Sequence, residues 1–181
     1  MLYYVEPMKI QILFILLFAG NLLSTWAVNF LKKCEWCRFP GYLLMLIIPL
    51  TTVFFAQPHF ELDYFWWIVA GYIAMVAGLV IIIWAKLELQ KGGAQWHDIY
   101  PQAMVTSGPY HFIRHPIYLG LIFILVGWWW VWAAVYAFYF GMFIVALVWI
   151  QGYLEEKLIL EKKFGDRYRE YRQQAGMFWV K

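Results

Sequence analysis

One stretch near the middle of the chain decides how the rest is interpreted: Gly108-Pro-Tyr-His-Phe-Ile-Arg-His-Pro-Ile-Tyr-Leu-Gly120. It opens with a Gly-Pro turn signal and runs into a long apolar segment, so that Arg114, His115 and Tyr118 fall at the mouth of that segment. Pro116 suits the first turn of a helix, where a missing N–H costs nothing. Charged groups at the edge of hydrocarbon are costly, which makes these side chains candidates for function.

The composition of the chain is typical of a membrane protein. Of its 181 residues, 64% are hydrophobic and only 14% are charged, whereas soluble domains carry about 25% charged residues. Twelve Trp and thirteen Tyr residues suit the two interfaces of a bilayer, where these side chains anchor. The net charge of +3 is too small to indicate nucleic-acid binding, and no basic run is interleaved with aromatic residues.

Long apolar segments predict an all-α integral membrane protein with about five transmembrane helices in a single domain. The last two helices are expected to form a hairpin that turns at Gly127 and Trp128-Trp129-Trp130. Residues 1–86 would hold three helices, and residues 87–181 a polar loop, the hairpin and the tail. The predicted helices cover residues 10–31, 41–56, 64–85, 116–129 and 132–152.

The distribution of Lys and Arg predicts how these helices are oriented. In this arrangement 13 of the 14 basic residues fall on one side of the membrane, and Lys9 alone falls on the other. The connector 57–63 carries two acidic residues and no basic one. We therefore expect the polar loop and the C-terminal tail to face the cytoplasm.

The tail is predicted to form two short amphipathic helices that can lie in the membrane interface. Gly165 fits a helix C-terminal stop, and Asp166 fits the N-cap of the second helix. The apolar positions share roughly one face; they are Leu154, Leu158, Phe164, Tyr168 and Tyr171.

The adjacent acids Glu155 and Glu156 follow the hairpin, at the end of a helix where negative charge is mildly unfavourable. A structural role would be an ion pair with Arg114 or Lys157, and a functional role would be binding a cation or the hydroxyl groups of a ligand. Because adjacent helical residues diverge by about 100°, we expect one of the two to face a site. Arg114 likewise has two interpretations, as a ligand for a carboxylate or phosphate or as a side chain that reaches the lipid headgroups.

Other polar motifs give little support for chemistry. Cys34 and Cys37 lack two further ligands nearby in the sequence, so we expect ordinary thiols and no metal site. His97 and Asp98 are most simply surface residues. No Ser-His-Asp order, glycine-rich phosphate loop or His-Glu-x-x-His helix occurs, so hydrolases, kinases and metalloproteases are disfavoured.

Several motifs together resemble the isoprenylcysteine carboxyl methyltransferases, with which phospholipid methyltransferases share much of the C-terminal pattern. The motifs are Thr106-Ser-Gly-Pro-Tyr110, Arg114-His-Pro-Ile-Tyr-Leu-Gly120, the Glu155-Glu156 pair and Phe164-Gly-Asp-Arg-Tyr-Arg-Glu-Tyr171. The resemblance covers residues 86–172. It implies S-adenosylmethionine-dependent methyl transfer to a lipophilic or membrane-associated acceptor at the cytoplasmic face, with the lipid bilayer as a partner.

The resemblance also implies a set of site residues. Arg114 and Glu155 adjoin the implied cofactor contacts and are expected to support them. Those contacts are Gln95, Gln102, Ala103, Met104, Val105, Tyr110, His115, Pro116, Ile117, Tyr118 and Glu156.

The sequence departs from the prenylcysteine enzymes where their substrate is held. Gly152 stands where an arginine contacts the substrate carboxylate, and Gln174 replaces a later arginine. The usual proline-containing ending is replaced by Gly176-Met-Phe-Trp-Val-Lys181, and Arg172 is a candidate to compensate. The acceptor could thus be a lipid amine, another lipophilic acid or a small thiol.

Two competing functions remain at this stage. Membrane reductases of the sterol or steroid type share a similar Arg-His-Pro-x-Tyr-x-Gly element and use NADPH, but the Glu155-Glu156 pair favours the methyltransferase. A non-enzymatic scaffold or small transporter would leave the polar loop and the two acids without a ligand.

Overall fold

A computed structural model of the chain describes residues 52–54, 57–61, 65–93 and 103–181. Apart from the short 3-10 helix at Thr52–Phe54, the predicted helices at 10–31 and 41–56 lie outside these residues. So do Cys34 and Cys37, His97 and Asp98, and the predicted cofactor contacts Gln95 and Gln102.

Within the described residues every regular element is helical, and β-structure is limited to two isolated bridges. Among the described residues, two helices are long and apolar enough to cross a membrane, Phe65–Lys91 and the continuous Val135–Phe164, whereas five spans were predicted from the whole sequence. We number the helices α1 (Phe65–Lys91), α2 (Pro116–Trp132), α3 (Val135–Glu155) and α4 (Asp166–Gln174), with α3 continued by a π-helical turn (Glu156–Leu160) and a short helix (Glu161–Phe164).

Helix α1 extends six residues beyond the predicted end at residue 85. The added turns contain Lys86, Glu88 and Lys91, polar residues that are nonetheless good helix formers. Hydropathy therefore located the apolar part of the helix and missed the polar turns that continue it.

The predicted hairpin turn at Gly127 and Trp128–Trp130 is wrong, because α2 runs through Trp132 and the chain turns at Ala133 and Ala134. Ala133 has a positive φ of 48° and takes the turn conformation.

Packing explains why the tryptophans stay helical. The rings of Trp67 and Trp130 stack with their centroids 3.7 Å apart, and the Trp67 indole N–H donates to the carbonyl of Trp130 at 3.2 Å. Trp129 is buried against Gly141, where a side chain would collide with its ring.

The chain divides into two compact units, residues 1–71 with 128–147 and residues 72–127 with 148–181. In the first unit the connector before α1 is hydrogen-bonded to the hairpin turn. The N–H of Phe60 donates to the carbonyl of Ala133 at 2.7 Å, and the N–H of Val135 donates to the carbonyl of Pro58 at 3.0 Å. Whether the chain behaves as one membrane domain stays a prediction.

In the second unit α1 and α2 approach closely at two glycines. A Cβ on Gly120 would lie 2.6 Å from the carbonyl oxygen of Gly78, and a Cβ on Gly78 would lie 2.5 Å from that of Gly120. Small residues permit such backbone contact between membrane helices. The glycine that ends the opening motif therefore fixes the start of α2 against α1.

The tail differs in part from the prediction of two short helices. Its first helix is the continuation of α3, which runs without a break to Phe164. Gly165, at φ +59°, ends it as predicted, but Asp166 is the first residue of α4 instead of its N-cap. The shared apolar face is confirmed in part, since Tyr168 and Tyr171 are buried with Leu160 and Ala175, and Phe164 packs against them.

Candidate functional site

The polar cluster begins where the chain enters α2. Pro116 is the first residue of that helix, as predicted, so Arg114 and His115 lie just outside its N-terminus. A 3-10 turn, Gly108–His111, precedes them and buries Pro109 and Tyr110. The site lies wholly within the second unit.

Glu156 is held by both residues that precede Pro116. The Nε atom of Arg114 lies 2.7 Å from one carboxylate oxygen, Oε1, and Nη2 lies 3.3 Å from the other. The Nε2 atom of His115 lies 3.0 Å from Oε1. Glu156 is only 3% exposed and His115 6%. The ion pair with Arg114, one of the two roles considered for these acids, is therefore present.

Arg114 also ties the tail to this cluster. Its Nη1 group donates to the carbonyl of Arg172 at 3.2 Å and to the carbonyl of Ala175. These carbonyls lie at the C-terminal end of α4, where a cation is favourable. The guanidinium thus bonds Glu156 to the end of α4 and is not a group that reaches lipid headgroups.

Glu155 has a different partner from its neighbour. The hydroxyl of Tyr118 donates to Glu155 at 2.8 Å, and no other residue that the structure describes is hydrogen-bonded to this carboxylate. The ring of Tyr118 also stacks on His115 with centroids 5.5 Å apart. The two acids therefore belong to one polar cluster, with Glu156 held by Arg114 and His115 and Glu155 by a hydroxyl.

A second buried acid, Glu88, was missed by the sequence analysis. Its carboxylate accepts from the hydroxyl of Ser107 at 2.7 Å and from Nζ of Lys91 at 2.9 Å. Gly108, at φ +58°, passes so close that a Cβ there would lie 2.9 Å from Cγ of Glu88. Glu88 thus anchors the polar loop to the end of α1. The spacing of Glu88 and Lys91 on one helix face was the available signal.

The remaining predicted contacts have mixed surroundings. Val105 and Tyr110 are buried with Ala85 and Leu89 of α1, and Ile117 packs against them. Ala103 is exposed, and Met104 packs against the buried tyrosines of the tail. Apart from exposed Ala103, their side chains therefore serve mainly as packing.

Two tail tyrosines differ in how their hydroxyls are satisfied. Tyr171 donates to the carbonyl of Tyr110. Tyr168 is 2% exposed, and its hydroxyl has no hydrogen-bond partner among the residues that the structure describes. Burial raises the pKa of Tyr168 above its ordinary value, and the nearby negative charge of Glu156 raises it further. Tyr168 is therefore a neutral side chain whose hydroxyl is unpaired within the part of the chain that the structure describes.

The side chains of Arg172, the candidate to compensate for a missing family arginine, and of Gln174 lie outside the cluster of Arg114, His115 and Glu156. Arg172 pairs with Glu161 through its Nη1 atom. Gln174 lines a shallow cleft with Thr106 and Tyr171. In the described part of the chain, no three His, Cys, Asp or Glu side chains lie close enough together to hold a metal ion.

A sequence model of the phospholipid methyltransferase family matches residues 66–167, more than half of the chain. The chain belongs to this family. No match was found among curated proteins or among solved structures.

Membership in the phospholipid methyltransferase family makes the protein a membrane methyltransferase and confirms the resemblance seen in the sequence. The matched region contains Glu88, Arg114, His115, Tyr118 and the two acids at the end of α3 and directly after it. It ends at Arg167, so Tyr168 and the C-terminal segment lie beyond the part that the family model covers. Nothing in the match favours a reductase.

Proposed function

We propose that the protein transfers a methyl group from S-adenosylmethionine to a lipophilic or membrane-associated acceptor at the cytoplasmic face of a membrane, like isoprenylcysteine carboxyl methyltransferases. The observation that carries this proposal is the buried polar cluster of His115, Arg114 and Glu156 beside the Tyr118–Glu155 pair. It lies at helix ends inside the region that the family model matches.

The donors and acceptors of the cluster fit such a cofactor. S-adenosylmethionine carries an ammonium group, a sulfonium, a carboxylate and ribose hydroxyls. Glu155 has acceptor capacity beyond its one bond to Tyr118, and the buried hydroxyl of Tyr168 has no partner among the described residues. A cationic ligand that also carries hydroxyls would satisfy both groups.

Each residue then has a role that its contacts support. Glu156 accepts hydrogen bonds from the cofactor's amine or ribose hydroxyls, while Arg114 and His115 hold the carboxylate of Glu156 in place. Four of the five N–H groups of Arg114 are already engaged, which leaves one for the cofactor's carboxylate. Gln95, Gln102 and the backbone of residues 103–105 complete the proposed contacts.

Apart from binding the cofactor, the protein has two tasks in methyl transfer. The bound cofactor supplies an activated methyl group. The residues around it must align the acceptor and exclude water. The near-complete burial of Glu156 and His115 supports exclusion of water from this cluster.

The acceptor is proposed to be a lipid amine, another lipophilic acid or a small thiol. Gly152 supplies no cation for a carboxylate, and Arg172 is already paired with Glu161. Trp149 and Tyr153 stack on each other with centroids 6.1 Å apart, and both are almost half exposed. This aromatic surface suits an apolar acceptor that arrives sideways from the bilayer.

The hydrogen bonds in the first unit support a multi-pass arrangement. Because the connector at 57–61 pairs with the turn between α2 and α3, we place the start of α1 and that turn on the same side of the membrane in this proposal. Helix α2 has 17 residues, and at 1.5 Å per residue it is about 26 Å long, close to the hydrocarbon thickness of about 30 Å. We propose that α1, α2 and α3 each cross the bilayer.

Isothermal titration of the detergent-solubilised protein with S-adenosylhomocysteine tests the cofactor. Micromolar binding is expected, and Glu156→Gln should weaken it well over about tenfold, since a charge-assisted hydrogen bond is worth about 1.5–3 kcal/mol. Glu161→Gln, which removes the charge that pairs with Lys157 and Arg172, is the matched control and should leave binding unchanged. Binding of NADPH without S-adenosylhomocysteine would instead identify a reductase.

A further inference from the structure

The C-terminal segment Ala175–Phe178 runs beside the residues that lead into α2. The N–H of Gly176 donates to the carbonyl of Phe112 at 3.1 Å. In the other direction, the N–H of Arg114 donates to the carbonyl of Gly176 at 2.8 Å, and that of His115 to the carbonyl of Met177 at 3.2 Å. This short parallel pairing fixes the register, so Met177 and Phe178 lie next to His115.

The segment is anchored on both sides of this pairing. The guanidinium of Arg114 donates to the carbonyls of Arg172 and Ala175 before it. After it, Nζ of Lys181 donates to the carbonyls of Arg172 and Gln173, at 3.2 Å each. The C-terminal segment is therefore fixed in place as a structural part of the site.

Met177 and Phe178 occupy the space beside Gly152. A Cβ at Gly152 would lie 2.8 Å from Cε of Met177, 3.3 Å from Cζ of Phe178 and 3.6 Å from Cδ2 of Tyr118. Gly152 precedes Glu155 and Glu156 by three and four residues, which places all three on the same side of the helix. Any side chain at position 152 would thus point toward the cluster and meet the C-terminal segment first.

Phe178 completes this arrangement from the other side. Its ring centroid lies 5.9 Å from that of His115, whose ring stacks in turn on Tyr118. Met177 is 8% exposed and supplies a flexible thioether, a group that adapts to varied apolar shapes. The wall next to the Tyr118–Glu155 pair is therefore apolar where it is formed by the C-terminal segment.

We propose that Met177 and Phe178 are specificity-determining residues that form, over Gly152, the apolar wall against which the methyl acceptor lies. This assignment rests on the proposed function. Methyl transfer requires an acceptor held in line and shielded from water. An apolar wall at this place favours acceptors with hydrocarbon close to the reacting group and gives no attraction to an acceptor carboxylate.

The test compares Met177→Ala and Phe178→Ala with Trp179→Ala, an aromatic residue directly after that segment that is 63% exposed. Three quantities are measured for each: the Kd for S-adenosylhomocysteine, the melting temperature, and kcat/KM for methyl transfer. The acceptor probes are phosphatidylethanolamine in phosphatidylcholine vesicles and N-acetyl-S-farnesylcysteine.

The two wall variants should change the ratio of kcat/KM for the two acceptors by about tenfold or more, because filling or emptying an apolar pocket changes discrimination on that scale. Cofactor affinity should change much less than this ratio, and Trp179→Ala should match wild type. An unchanged ratio, or a loss of transfer that only follows the melting temperature, would overturn the assignment. If the wild-type protein binds S-adenosylhomocysteine and the ratio is unchanged in the variants, only the assignment of the wall is contradicted. Wild-type protein that neither binds it nor transfers methyl contradicts the proposed function as well.

A compensating pair gives an independent check. Gly152→Leu fills the space of Met177 and should lower transfer, whereas Gly152→Leu combined with Met177→Ala should recover it, because contacting residues are not additive. Additive losses would show that the two positions do not share this wall.

Discussion

Arg114 and Glu156 are 42 positions apart in the sequence, yet Nε of the arginine lies 2.7 Å from a carboxylate oxygen of the glutamate. The two side chains are 9% and 4% exposed. Because Arg114 also binds carbonyls at the end of α4, this one residue joins the entry to α2, the end of α3 and the tail. The cluster is therefore a structural junction as well as the proposed cofactor site.

The buried pair predicts a large loss of stability when one partner is removed. Glu156→Ala leaves the Arg114 guanidinium uncompensated, which should lower the free energy of unfolding by about 3–5 kcal/mol. Arg114→Gln combined with Glu156→Gln removes both charges and should recover much of that loss. Denaturant unfolding in detergent measures this, and a wild-type midpoint for Glu156→Ala would contradict the pair. A stable double variant that still fails to bind S-adenosylhomocysteine would separate a cofactor contact from a folding defect.

The two tail tyrosines form a matched pair for the next prediction. Tyr171→Phe deletes the donor to the Tyr110 carbonyl and should cost about 1 kcal/mol of unfolding free energy. Tyr168→Phe deletes a hydroxyl with no partner among the described residues, so stability should be unchanged or rise by up to about 1 kcal/mol. If Tyr168 contacts the cofactor, its variant alone should weaken binding of S-adenosylhomocysteine. Equal destabilisation by both variants would mean that Tyr168 is already satisfied in the fold.

Local signals in the sequence predicted the start of α2 and the stop at Gly165, and they singled out Arg114, His115 and Glu156 as candidate residues. Proline and glycine act within one turn of their own position, and buried charge stands out in an apolar chain. The family motifs then indicated the methyltransferase.

Contacts between segments that are distant in the chain could not be predicted from the sequence. The hairpin turn was misplaced because the packing of Trp129 on Gly141 holds the tryptophans in a helix, and no local pattern reveals that contact. The pairing of Gly176 with Ile113 joins two short segments without strand periodicity. Gly152 could be recognised as a departure from the family, but only the fold shows that Met177 fills its space.

The close approach of Gly78 and Gly120 predicts a site where added volume is harmful. Gly120→Leu would force α1 and α2 apart and should lower the free energy of unfolding by about 1–3 kcal/mol, the usual cost of overpacking. Val76→Leu, at an exposed position of α1, adds volume without a neighbour and is the control. Thermal unfolding in detergent compares the two, and equal melting temperatures would show that the helices do not meet at these glycines.

The proposed orientation predicts which side of the membrane each segment faces. In a Cys34→Ser, Cys37→Ser background, single cysteines are placed by Glu61→Cys in the connector, Trp132→Cys at the end of α2 and Arg169→Cys in the tail. Because the connector is hydrogen-bonded to the hairpin turn, the first two should react with a membrane-impermeant maleimide from the same side. Arg169→Cys should react only from the cytoplasmic side, where basic residues concentrate.

Intact cells and inverted vesicles distinguish the possible outcomes. Labelling of Trp132→Cys together with Arg169→Cys, opposite to Glu61→Cys, would mean that α2 and α3 enter the bilayer and return without crossing it. Exchange of the two sides for all three positions would keep the helix arrangement and reverse the orientation. It would also move the cofactor site away from the cytoplasm, and because cells make S-adenosylmethionine there, the proposed reaction would lose its methyl donor.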